Sequence, residues 1–80
     1  MTLYYADAEI PDGLNRAYKV RAFWDKNQGQ HGVDVILVGS DAITRRWEEP
    51  QYVSSRAAAL VRFAAVVKRV TKRVTKQVYG

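Results

Sequence analysis

Apolar residues recur at every second position in residues 3–10 and 17–25, and at every third or fourth position from residue 56 to residue 78. The first period belongs to half-buried strands and the second to an amphipathic helix. A chain of 80 residues with 48% apolar content is one domain, too apolar for disorder and too short for two cores. The expected fold is therefore α+β: an antiparallel meander of three or four strands over residues 1–49, and one long amphipathic helix over 54–78 packed on one face.

In the first segment Tyr4, Ala6, Ala8 and Ile10 alternate with Leu3, Tyr5, Asp7 and Glu9. In the second, Tyr18, Val20, Ala22 and Trp24 alternate with Lys19, Arg21, Phe23 and Asp25. Pro11-Asp12-Gly13 between them is turn chemistry. Pairing positions that sum to 28 sets Glu9 against Lys19 and Asp7 against Arg21 on one face, and Ala8 against Val20 and Tyr4 against Trp24 on the other. Both faces are satisfied at once, which specifies the hairpin. KNQGQHG, residues 26–32, reads as the next turn, and GVDVILVG, residues 32–39, as a third and more completely covered strand. Residues 40–49 fit a short helix capped by Ser40 or Asp41, but Ile43, Arg45 and Trp47 alternate with Thr44, Arg46 and Glu48, which favours a fourth strand. Pro50 is expected to break what precedes it.

Ser54 and Ser55 are candidate N-caps. Beyond them KRVTKRVTKQV, residues 68–78, is rich in β-formers, yet as a strand it would put Val70, Lys72, Val74 and Lys76 on one face. As a helix it separates them, because Leu60, Phe63, Val67, Val70, Val74 and Val78 fall on a stripe about 80° wide. Residues 57–67 are apolar nearly all round except for Arg62, as expected of a helix deep against a sheet. About 24 helical residues outreach strands of about eight, roughly 36 Å against 27 Å, so the last two turns are expected to overhang.

Charge is placed unevenly. Residues 1–50 hold all eight acids and six of the thirteen bases; residues 51–80 hold seven bases and no acid. Arg62, Lys68, Arg69, Lys72, Arg73 and Lys76 fan across the side opposite the apolar stripe, with Arg45, Arg46 and Trp47 as an extension. Unneutralised cations along a helix repel one another, and an anionic partner relieves them. The competing structural reading is a solvated face whose cations complement the helix C-terminus. Tyr5 and Phe23, with Trp47, form a candidate aromatic interface for protein or bases.

Nothing points to an enzyme. Asp7 and Glu9 share a strand face, but Lys19 and Arg21 opposite make them ion-pair residues; His31 is read as a surface turn residue, and GSD lacks the lysine and second glycine of a phosphate loop. With no cysteine and one histidine, neither a metal site nor a cofactor is expected. The N-terminus has no basic segment before an apolar run, and no stretch of about 18 uncharged apolar residues occurs. A cytoplasmic location is expected.

The order of elements loosely resembles that of double-stranded RNA-binding domains. Those also have an N-terminal helix and a glycine loop with a lysine cluster, absent here, so no site residue is carried over. The first expectation is a non-enzymatic binding protein acting on nucleic acid or a ribonucleoprotein complex through the basic helix face. The alternative is a small inhibitor of the kind mobile elements encode, anti-CRISPR proteins included, acting on a host complex by protein contact; brevity and lack of chemistry are the only similarity. A membrane-surface helix ranks last, since valine and threonine fill the turns where tryptophan and leucine would anchor.

Overall fold

The computed structural model describes residues 2–41 and 43–79, with side chains described as far as residue 76. Four strands, β1 (Thr2–Pro11), β2 (Ala17–Asp25), β3 (Gln30–Val38) and β4 (Thr44–Val53), precede helix α1 (Arg56–Tyr79). They form one antiparallel sheet in the order β1-β2-β3-β4, with α1 packed against it. The α+β meander read from the periodicity is the fold.

Local chemistry explains the first two turns and the helix start. Asp12, almost fully buried, accepts from the amides of Leu14 at 2.8 Å and Arg16 at 3.3 Å and pairs with the Arg16 guanidinium at 2.8 Å. Burial pushes its carboxyl up, but these hydrogen bonds outweigh that and hold it below the usual carboxylate range. Asp25 caps the second turn through the amides of Asn27 and Gln28, and Gly29 closes it at φ 64°, where a Cβ would be strained. At the helix start Ser55 Oγ accepts from the Ala58 amide at 3.1 Å, so Ser55 is the N-cap.

The hairpin follows the sum of 28 from Pro11↔Ala17 to Ala6↔Ala22, with Asp7 opposite Arg21 and Glu9 opposite Lys19. Tyr5 is then bulged out, and beyond it Tyr4 faces Phe23 and Leu3 faces Trp24. This corrects the pairing of Tyr4 with Trp24: one extra residue reverses the faces, sending Tyr5 to the helix side and Tyr4 to the outer side. β3 starts at Gln30, so His31 is a strand residue rather than a turn residue. Its Nδ1 lies 3.0 Å from the Tyr5 hydroxyl and its ring rests on Trp24.

β4 is the strand that the alternation favoured, and Pro50 does not end it. Register shifts between Val33 and Ile36 leave Pro50 unpaired on an edge strand, where a missing N–H removes no ladder bond.

Beneath α1 lie Tyr18, Val20, Ala22, Val33 and Val35, met by Ala59, Val66, Val70 and Val74. Phe63 and Val67 pack beside them, but Leu60 is 39% exposed. The buried stripe is thus rotated toward Ala59 and Val66 from the one expected, because the helix turns its small residue to the sheet, where close approach is possible. Val78 lies outside the described side chains. Val74 is still buried at the Ile10–Gly13 turn, so the overhang does not begin two turns from the end. Thr75 reconciles helix and propensity by returning its hydroxyl to the Thr71 carbonyl at 2.9 Å.

Candidate functional site: the outward face of the helix

The six helical cations divide into two sets. The arginines lie along the flank facing β4. Arg62 reaches the Gln51 carbonyl oxygen Oε1 at 2.5 Å, and Arg69 forks onto Glu48 at 2.6 and 2.7 Å. Arg73 stands 5.1 Å over the Trp47 ring, whose edge meets Tyr18 at 5.2 Å. These three seal the gap between helix and edge strand, a structural role that sequence spacing could not distinguish from binding. The Glu48 carboxyl is held below its usual range by the hydrogen bonds from Arg69, against burial, with the charges of Arg69 and Arg73 adding to the lowering.

Lys68, Lys72 and Lys76 form the other set. All three are exposed, and among the described residues none makes an ion pair. Spaced by four, they stand about 6 Å apart along one line. The outward face is basic only in this half. One turn earlier it carries Ala57, Leu60, Val61 and Ala64, all exposed, with Val61 at 72%. That corrects the expectation that residues 57–67 are apolar because they are covered: a single helix on one sheet has only one side to bury.

The extension proposed for the basic patch is half retained. Arg45 pairs with Leu37 and lines a cleft with Arg16, Asp41 and Ile43 at the end of the sheet where the helix C-terminal half lies. Arg46 faces the other side and pairs with Glu49 at 3.1 Å. Trp47 is neither buried core nor free platform, since Tyr18 and Arg73 occupy it while 38% stays exposed.

The aromatic trio is not one surface. Tyr5 lies on the helix side with the Arg56 guanidinium 4.8 Å from its ring centre; burial raises its hydroxyl pKa against the lowering by Arg56, and the hydroxyl shares a hydrogen bond with His31 Nδ1. Phe23 is on the outer side but only 4% exposed, lying over Gly32 between Tyr4 and Tyr52, both edge-on to it at 5.7 and 6.1 Å. Tyr4, Phe23, Gly32 and Tyr52 are direct cross-strand partners and make one row across all four strands. The accessible aromatics of the outer face are thus Tyr4 and Tyr52: the bulge at Tyr5 is not visible in an alternating pattern, and Tyr52 lies beyond Pro50, where the sheet was expected to have ended.

Comparison with protein-family models, curated proteins and solved structures finds no match to this chain. The site therefore stands on its own residues. Among the described residues no group of three or more His, Asp or Glu side chains is placed to hold a metal ion, and no helix is long and apolar enough to cross a membrane.

Proposed function

We propose that this chain is a non-enzymatic binding module whose outward helix face engages the phosphates of nucleic acid, free or within a ribonucleoprotein complex. The observation that carries this reading is the exposed line of Lys68, Lys72 and Lys76 in a thirty-residue segment without a single acid. Phosphates follow one another every ~3.4 Å of axis along each strand of a duplex, so three lysines spanning ~12 Å of helix lie within reach of several of them. Lysine suits the task as a mobile point charge that tracks a backbone without reading sequence.

Fluorescence anisotropy with labelled duplex and single-stranded probes at several salt concentrations tests it. Three phosphate contacts give a slope of log affinity against log salt of about −2.7 on duplex DNA. Replacing the three lysines by glutamine flattens that slope toward zero, whereas Arg69→Gln, which unties the helix from β4, leaves it nearly unchanged. Absence of binding to every probe at about 50 mM salt, where screening is still weak, overturns the proposal and leaves inhibition by protein contact as the reading.

A further inference from the structure

We propose that the outward helix face of one copy docks on the outer sheet face of a second copy, so that molecules stack head to tail. Each face lacks a layer over it among the described residues, and each has an apolar half and a charged half. On the helix the apolar half is Ala57, Leu60, Val61 and Ala64 and the charged half is Lys68, Lys72 and Lys76. On the sheet the apolar half is the Tyr4–Phe23–Tyr52 row, with Tyr4 47% and Tyr52 39% exposed. The charged half holds Asp7, Glu9, Asp34 and Glu49 with Lys19, Arg21 and Arg46.

Charge selects the occupant. Arg21 forks onto Asp34 at 2.9 and 2.7 Å instead of turning to Asp7, and Arg46 takes Glu49. Asp7 and Glu9 are left exposed on β1, and among the described residues neither makes an ion pair, although Lys19 lies opposite Glu9. Two strand residues separate these carboxylates by ~6.6 Å and four helical residues separate successive lysines by ~6 Å, so the two lines match in spacing. A helix-on-helix pairing of two copies offers no such match, because the helix contains no carboxylate.

The polarity also agrees. Arg56 sits over Tyr5 and Val74 lies at Ile10–Gly13, so the helix runs from the aromatic end of the sheet toward the Glu9 end. Translating a copy across the layers and ~10 Å along the strands, without rotation, brings Val61 over the aromatic row and Lys68 and Lys72 over Asp7 and Glu9, because these lysines follow Val61 by ~10 and ~16 Å along the helix and the carboxylates follow Tyr4 by about as much along β1. Such a heterologous contact does not close on itself and gives open-ended growth. It uses the same lysines as the proposed nucleic-acid contact, so a polyanion competes with it. The inference nevertheless stands apart from that reading, because assembly is measured without nucleic acid.

The experiment is sedimentation velocity from micromolar to millimolar protein at about 50 mM salt, where the Debye length exceeds ~10 Å. Wild type is expected to grow past dimer with concentration and to fall back to monomer in about 1 M salt, where that length is ~3 Å. The helix variant K68E/K72E/K76E and the sheet variant D7K/E9K should each be monomeric alone, and a 1:1 mixture should regain growth, because each then offers the complement of the other's altered face. Val61→Glu, at an exposed position, should also abolish growth and serves if a charge-reversed variant fails to fold by circular dichroism. Monomeric wild type at millimolar concentration overturns the proposal. So does growth that stops at a dimer and survives D7K/E9K, or a mixture of folded charge variants that stays monomeric.

Discussion

The guanidinium of Arg69 meets the carboxylate of Glu48 through two parallel hydrogen bonds, Nη1 to Oε2 at 2.6 Å and Nη2 to Oε1 at 2.7 Å. This fork fixes the middle of the helix to edge strand β4, between the contacts of Arg62 with Gln51 and of Arg73 with Trp47.

The pair makes stability depend on pH in a defined direction. Because the folded Glu48 carboxyl lies below its ordinary value, its contribution is present above the ordinary carboxylate range of roughly 4.3 and is lost as pH falls through the depressed folded value. Half-exposure of Arg69 limits the effect to about 1 kcal/mol. Thermal melts of wild type and Glu48→Gln should differ at neutral pH and converge as pH falls below 4.3 or so; a gap that persists at acid pH would sever the link to Glu48.

Arg21 stands directly opposite two carboxylates, Asp7 on β1 and Asp34 on β3, and takes Asp34, which is nearly buried. Asp34→Ala is expected to cost about 2–4 kcal/mol, since it strands a partly buried guanidinium, while Asp7→Ala stays within about 0.5 kcal/mol. Urea denaturation in two double-mutant cycles separates them. Stronger coupling of Arg21 to Asp7 than to Asp34 would refute the geometry.

Gly32 is where the tip of the Phe23 ring rests on the outer face. A Cβ there would stand 2.6 Å from Phe23 Cζ and 2.9 Å from Cε2, and Tyr4 and Tyr52 hem the ring in. Gly32→Ala should therefore destabilise by about 1–3 kcal/mol. The same change in a Phe23→Ala background should cost much less, and equal costs would show that the ring is not the obstacle.

The rotation of the helix is tested by two truncations. Val66→Ala removes two buried methyl groups and should cost about 2 kcal/mol, including the cavity term. Leu60→Ala, with its side chain partly in solvent, should cost under about 1 kcal/mol. The reverse order in chemical denaturation would restore Leu60 to the core.

How much was legible varies with the kind of information each element carries. The hairpin from Ala6 to Ala22, the Ser55 cap and the helical period of a valine-rich segment follow from local chemistry and spacing, and all three are found as read. Tyr5 was misplaced, because a bulge adds one residue without altering composition. His31 was misplaced with it, since its partners Tyr5 and Trp24 come from two other strands.

The sequence by itself determined that strands precede one helix, that all acids precede residue 51, and that the C-terminal half of the helix sets an apolar stripe against a basic side. Periodicity and charge are properties of neighbours along the chain, and a helix displays them wherever it lies. Which cations stay accessible was decided only by the tertiary structure. Glu48, Gln51 and Trp47 on β4 engage Arg69, Arg62 and Arg73, and leave the outward line to Lys68, Lys72 and Lys76. No spacing encodes that division, because the rotation of a helix about its axis is set by packing against the sheet: here Ala59 and Val66 lie inward and Leu60 is left at the rim.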